Sequence, residues 1–442
     1  MELRRHKDIL AIRAHGTEAP LAFHARNLQV AEISDEAWKA LVPTAVSDFS
    51  TKEGVLTSEA AQDLEAWNNA NSAEVTEDSN QFGVRSLTLN VTQICNLHCT
   101  YCAAGGDGTY GDPVTRISIE KTLPQLKFFM DQIPAGERFH IAFLGGEPLL
   151  YPLAIQAIAE YVFAVTEVKG IVPSFKITTN GTLIDERAIN ILRAMNAHVT
   201  VSLDGPREVN DRQRRTRSNE GSFETAFQGL IDLLAHRSDL ASVGVHAVFN
   251  ENNLEVEKAW ELFSSIPVDY MEFTYSVNHH DAASTLAFNL SMEKALSRAW
   301  EKGGESELLR ILNVREIFDR LDEQKRRLNH CGMGKSFMVV DSRNRLWTCP
   351  WTVGQKGNRL GENSELDYEQ LEKYQKSQIE MNGCESCWAR FLCGGGCSFV
   401  HGSTGGMTAQ KKIDFCERTR FLMAQVLAYY GRSRAATAGA QQ

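Results

Sequence analysis

The chain has 442 residues, 43% hydrophobic and 23% charged, the make-up of a globular protein with apolar mass for two or three domains. With 46 Lys and Arg against 56 Asp and Glu, the formal charge of −10 excludes a wholesale basic nucleic-acid binder. Charges at Glu2, Arg4, Arg5, Lys7 and Asp8 stand where a signal peptide keeps its apolar core, and the most apolar stretch, 139–165, is interrupted by Gly145, Gly146, Glu147 and Pro148. The expectation is a cytoplasmic protein with no membrane span and no nucleic-acid partner.

Residues 1–82 read as an N-terminal α+β extension. Leu21–His24 and Leu28–Ile33 read as strands, and Ser34-Asp35-Glu36 as a helix cap ahead of Ala37–Leu41. A strand–strand–helix unit with an exposed edge suits capture of a leader peptide by strand addition. Residues 51–81 are polar, acidic and rich in Asn and Ser, which reads as a linker with one helix near 58–67.

Ser86–Thr92 alternates apolar and polar residues as a strand does. The first cysteines follow it as Cys95-x3-Cys99-x2-Cys102; the other seven begin at Cys331. Crowded cysteines in a reducing compartment read as metal or iron–sulfur ligands. Three thiolates on one loop hold three irons of a cubane and leave the fourth open, as a catalytic site requires. The alternative is a zinc site completed by a histidine such as His98.

With Tyr101 directly before the third cysteine, this string resembles the radical S-adenosylmethionine (radical SAM) superfamily. The resemblance implies a partial (β/α)6 barrel and an open iron that chelates the amino and carboxylate groups of SAM. It also implies reductive cleavage of SAM to methionine and a 5′-deoxyadenosyl radical. The strand-like run Phe139–Leu144 ends at Gly145-Gly146-Glu147-Pro148, with a helical period over 152–165. Two more strand-like runs, from Ser174 and from His198, end in small polar residues and a glycine, a pattern suited to a barrel mouth. By resemblance, Tyr101, Gly145, Gly146, Glu147, Asn180, Ser202, Asp204 and Arg214 bind SAM. Glu147 would take its amino group, Arg214 its carboxylate, and Asn180, Ser202 and Asp204 its ribose and methionyl part. Arg212, Arg214, Arg215 and Arg217 also read as a solvated charge run. Residues 242–250 and 270–277 supply further strands, followed by His279 and His280, which read as loop residues.

The remaining cysteines are Cys331, Cys349, Cys384, Cys387, Cys393, Cys397 and Cys416, with an expected hairpin over 337–348. Their order resembles the SPASM extension of radical SAM enzymes that modify peptides and proteins. Asn344 stands where that pattern has glycine, and asparagine is an accepted substitute at a left-handed turn. The resemblance implies two auxiliary [4Fe–4S] clusters: an outer one on Cys384, Cys387, Cys393 and Cys416, and an inner one on Cys331, Cys349 and Cys397. The inner cluster is left one cysteine short, with His330, a carboxylate, water or a substrate thiolate as the remaining ligand. Pro350 stands where formylglycine-forming sulfatase maturases carry an acidic residue.

The expected fold is α/β: an extension at 1–82, a radical SAM partial barrel at 83–320, a cysteine-rich SPASM domain at 321–425 and a tail at 426–442. The expected cofactors are three [4Fe–4S] clusters and SAM. The expected activity is maturation of a ribosomally made peptide, a thioether cross-link first and a carbon–carbon link second, with a flavodoxin or ferredoxin as electron donor. Epimerisation and formylglycine formation are the alternatives within the family. A non-catalytic zinc or iron–sulfur interaction protein is the alternative outside it.

Overall fold

The computed structural model describes all residues except 15–18, 49–51, 53–58, 71–81, 103–115, 278–280, 356, 403–408 and 440–442. His279 and His280 lie outside the described residues, as does most of the linker at 51–81. The chain forms two compact units, one of residues 1–79, 280–330 and 376–442, the other of residues 80–279 and 331–375.

The first unit opens with five antiparallel strands, β1 Glu2–His6, β2 Ile9–Arg13, β3 Leu21–His24, β4 Gln29–Glu32 and β5 Val42–Thr44, in the order β4-β3-β2-β1-β5. As the sequence predicts, Ser34 caps helix α1 (Asp35–Ala40), its hydroxyl accepting from Ala37 N at 3.1 Å. Helix α2 (Glu59–Asn68) adds Leu64 to a core of Ile9, Ala11, Ala22, Ala37, Trp38 and Leu41. The charged N-terminus that argued against a signal peptide is itself strand β1. Its side chains and the following Lys7 have distant partners: Lys7 and His6 meet Glu65 at 2.6 and 2.7 Å, and buried Arg5 donates to Ser386 O at 2.6 Å. Arg390 pairs with Asp8 at 2.6 Å, so the N-terminal sheet is tied to the Cys384–Cys393 segment of the same unit.

The second unit is built on a parallel sheet: β6 Ser86–Thr92, β7 Arg138–Gly145, β8 Val172–Thr179, β9 His198–Ser202, β10 Ser242–Phe249 and β11 Tyr270–Tyr275. Helices α3 (Ile119–Met130), α4 (Pro152–Lys169), α5 (Glu186–Ala194), α6 (Arg207–Gln213), α7 (Phe223–Ala235) and α8 (Val256–Ser264) lie between successive strands. Strand residues alternate between two faces. Phe139, Ile141, Phe143, Phe175 and Ile177 are buried on the helix side, where Phe163 of α4 meets Phe175 at 5.1 Å between ring centres. His140, Lys176, His198 and His246 occupy the opposite, half-buried face. The expected partial (β/α)6 barrel is present.

Strands β12 (Phe337–Val340) and β13 (Arg345–Trp347) form the expected hairpin, with β12 parallel to β6; β14 (Arg359–Glu362) and β15 (Glu365–Leu366) extend the sheet. Asn344 turns the hairpin at φ 63°, the left-handed conformation its place in the pattern requires.

The first unit is completed by α9 (Ala282–Leu308), broken at Gly303 and Gly304, by α10 (Leu312–Glu323) and by the C-terminal helix Ala409–Gly439. Arg418 donates to Thr285 at 2.6 Å and Gln425 to Glu293 at 2.8 Å, which fixes that helix along α9. No helix among the described residues is long and apolar enough to cross a membrane.

Candidate functional site

The first cysteine loop leaves the C-terminal end of β6, where barrel enzymes place their chemistry. Gly146 N donates to Thr92 O at 2.8 Å and Glu147 N to Ile94 O at 2.9 Å, so the end of β7 is zipped to the start of the loop. A methyl at Gly146 would overlap the Ile94 carbonyl oxygen and stand 2.8 Å from Cys95 N. The close approach that the two glycines permit is therefore to the cysteine loop itself. On its far side the loop is held by the 213–217 segment: His98 N donates to Arg215 O at 2.7 Å, Thr100 N to Gln213 O at 2.9 Å and Arg217 to Cys95 O at 2.7 Å. Part of the arginine run is thus structural.

Two polar groups surround the thiols. In the first, the buried Glu147 carboxylate accepts from Leu149 N at 3.0 Å, Thr179 Oγ1 at 2.8 Å and Asn180 N at 2.7 Å. Two of these donors share Oε1 and one takes Oε2, so Oε2 keeps a lone pair. Asn180 Nδ2 donates to Asn96 Oδ1 at 2.8 Å and lies 3.7 Å from Cys95 Sγ. Asn96 in turn donates to Thr182 at 2.8 Å.

In the second group, Tyr101 Oη lies 3.0 and 2.9 Å from the two Asp204 oxygens and accepts from Arg214 Nη1 at 2.6 Å. Asp204 also accepts from Val248 N at 3.1 Å. Burial pushes the Asp204 carboxyl up, against the pull of Arg214. Arg214 is the buried member of its run, whereas Arg212 is exposed and pairs with Glu255 at 2.8 Å. Ser202 ends β9 in register with His246 and makes no hydrogen bond to either group among the described residues.

Cys99 is pushed up to about 12 by burial, with Cys102, Asp204 and Cys95 adding negative neighbours against Arg214. Burial likewise raises Cys95. Cys102 and His98 are exposed. Asn96, Thr179, Thr182 and Arg217 escaped the sequence reading; the small polar run closing β8 was the available signal for the threonines, and Asn96 and Arg217 had none.

In the other unit, Cys384, Cys387, Cys393 and Cys416 line one cavity of about 30 Å³ with Gly396 and His401. Burial raises Cys384 to about 12, and Cys387 and Cys416 add to it. His401 Nε2 lies 3.3 Å from Cys416 Sγ, and its Nδ1 lies 3.0 Å from Cys397 O. The structure thus brings the four expected outer ligands together. Of the expected inner set, Cys331 and Cys349 belong to the barrel unit and Cys397 to this one. His330 is half-buried, with Nδ1 3.1 Å from Cys393 O.

Residues 89–263 match the Radical SAM superfamily. The chain carries a radical SAM domain. Over 320 residues it is 23% identical to a serine-type anaerobic sulfatase-maturating enzyme of Klebsiella aerogenes, covering 69% of this chain and 76% of that one. Its fold is that of anSMEcpe with bound AdoMet, at TM-score 0.63 and 18% identity over 78% of this chain and 95% of that one. A chain of native anSMEcpe with bound AdoMet and Cp18Cys peptide matches at TM-score 0.62 and 18% identity, over 81% and 99%.

A radical SAM domain implies a [4Fe–4S] cluster and SAM, and this chain is an enzyme. The donor set fits that cluster: three thiols on one loop act on one another electrostatically, and a buried asparagine amide borders the first. The raised values of Cys95 and Cys99 belong to the metal-free thiols; bound iron deprotonates a coordinating thiol outright. Among the described residues, no three or more His, Cys, Asp or Glu side chains converge on a single metal ion.

Proposed function

We propose that this radical SAM enzyme matures a ribosomally made peptide or small protein. The observation that carries the reading is the pairing of two thiol groups: Cys95, Cys99 and Cys102 at the mouth of the barrel, and the four-cysteine cavity in the other unit. A chain that carries both groups has the pattern of radical SAM enzymes with a SPASM extension. The relatives add weight, since the Klebsiella protein acts on a sulfatase and anSMEcpe was solved with a peptide.

In this reading Cys95, Cys99 and Cys102 hold the SAM-cleaving cluster, Cys384, Cys387, Cys393 and Cys416 the outer auxiliary one, and Cys331, Cys349 and Cys397 the inner one. The free lone pair on Glu147 Oε2 accepts from the SAM ammonium. Arg214, with one nitrogen committed to Tyr101, offers the rest of its planar fork to the carboxylate. Asn180, Ser202 and Asp204 order the ribose and methionyl end, Asp204 acting through Tyr101. The glycine pair holds the loop in place. When bound, the cluster and SAM supply a 5′-deoxyadenosyl radical that takes hydrogen from a substrate carbon. The product we favour is a thioether, because an inner cluster one cysteine short leaves room for a substrate thiolate. Formylglycine formation is the second reading, favoured by the Klebsiella relative and opposed by Pro350. A flavodoxin or ferredoxin supplies the electron, and the N-terminal sheet, with its exposed β4 edge, holds the leader part of the substrate.

Anaerobically reconstituted protein should carry about twelve irons, four for each of three cubanes. It should release 5′-deoxyadenosine only with dithionite. Cys95→Ala should abolish that release and leave the auxiliary signals. Colourless protein loaded with zinc would overturn the reading.

A further inference from the structure

The barrel face turned away from the helices carries a cation without an anion. Lys176 sits mid-way along β8, half-buried, and has no hydrogen-bond or ion-pair partner among the described residues. Strand register sets it beside His198 of β9, and sets His198 beside Ser242 of β10. His140 of β7 is in register with Ser174, two residues before Lys176 on the same face of β8. Each histidine is oriented by a serine: His140 Nδ1 lies 3.2 Å from Ser174 Oγ, and His198 Nδ1 lies 2.9 Å from Ser242 Oγ. With the serine hydroxyls donating, both histidines keep Nε2–H as a free donor. Both act electrostatically with Lys176, whose charge helps hold them neutral.

Glu272, the acid that strand register places on this face, does not neutralise the group. Glu272 of β11 stands opposite His246, four residues along β10 from Ser242, and forms no ion pair with Lys176 among the described residues. A partly desolvated ammonium flanked by two imidazole N–H donors is a receptor for a compact anion. Lys176 lies four residues before Asn180, so at the strand rise the group is about 13 Å below the cysteine loop's neighbourhood. That distance is spanned by about four extended residues of a substrate peptide lying down the barrel.

We propose that Lys176, with His140 and His198, binds a carboxylate of the peptide substrate part-way down the barrel and so sets which residue reaches the radical. The proposal rests on the peptide-maturase reading and adds a specificity determinant to it. Two synthetic peptide libraries, one with free carboxyl termini and one amidated, test it by capture on the reconstituted enzyme with SAM present. Peptides retained by the wild-type enzyme should be enriched several-fold in a carboxylate at one spacing. A preference shared by both libraries assigns an Asp or Glu side chain; one confined to the first library assigns the terminal carboxylate.

Lys176→Arg should keep the preference, Lys176→Met lose it, and Lys176→Glu favour basic residues instead. Iron content and melting temperature establish that each variant is folded. Retained peptides with no acidic preference, or an unchanged preference in Lys176→Glu, would overturn this inference alone. An enzyme that cleaves SAM but retains no peptide would overturn the peptide reading and the inference with it.

Discussion

Tyr101 and Asp204 are 103 residues apart in sequence, yet the phenol sits within 3.0 Å of both carboxylate oxygens while Arg214 grips it from the other side. One hydroxyl therefore joins the cysteine loop to the ends of β9 and α6. In Tyr101→Phe, Arg214 Nη1 and the buried carboxylate lose that partner, which costs about 1–3 kcal/mol of stability. Arg214 also loses its orientation. The expected outcome is weaker SAM binding in an equilibrium titration, with iron content unchanged. Equal affinity would detach Arg214 from the cofactor.

Gly146 predicts a different failure. An added methyl meets the backbone of Ile94 and Cys95, which cannot step aside as a flexible side chain could. Gly146→Ala should displace the first cysteine loop and leave the four-cysteine cavity of the other unit untouched. Iron and sulfide should drop by one cluster's share, and 5′-deoxyadenosine release should vanish. Retention of all three clusters would show that the loop tolerates a shift.

Much of this was legible in the sequence because it is local. Period-two alternation gave the barrel strands, Ser34 gave the cap of α1, and Asn344 in a glycine slot gave a left-handed turn. The cysteine spacing sorted the thiols, because ligands of one cluster sit on short loops. What stayed hidden depends on partners far along the chain. Strand β1 carries Glu2, Arg4 and Arg5 and has no period-two signal; Arg5 is buried with a carbonyl 381 residues away accepting from its guanidinium. The arginine run shows the same limit. Its composition reads as a solvated face, yet Arg214 is buried through Tyr101 and Arg217 caps the carbonyl of Cys95.

The two thiol groups should separate by mutation. Cys384, Cys387, Cys393 and Cys416 line one cavity, so alanine at any of them should remove the same spectroscopic signal. Alanine at Cys331, Cys349 or Cys397 should remove another. Electron paramagnetic resonance of the reduced variants decides it. A mixed pattern, with Cys416→Ala resembling Cys397→Ala, would mean that His401, lying between those two residues, links the clusters.

The barrel histidines make a pH prediction. Burial lowers His140 and His198 below their usual 6.5, and Lys176 lowers both further. Folding therefore favours the neutral rings. Their contribution to stability is complete above pH 6.5 and is lost as the pH falls below it through the depressed native values. Lys176→Met should move both titrations upward, though not fully, because burial is the larger cause. Histidine Cε1–H shifts followed from neutral pH down to about 5 would read the change directly. Unmoved titrations would mean that Lys176 is screened from the rings by water.

Asn344 tests why asparagine occupies a glycine slot. Its side chain is buried, accepting from Thr122 Oγ1 at 2.5 Å and donating to Ser118 O at 3.5 Å, so it tacks the hairpin to the start of α3. Asn344→Gly relieves the left-handed backbone but loses the side chain's tie to α3, while the Thr122 hydroxyl keeps Ser118 O as its acceptor at 2.7 Å, for a net loss of about 1 kcal/mol. Asn344→Ala loses the same bonds and adds the strain of a Cβ at φ 63°, about 2 kcal/mol in all. Denaturant melts should rank the three as Asn, Gly, Ala. If glycine proved the most stable, the turn alone would govern this position, and the tie to α3 would contribute nothing.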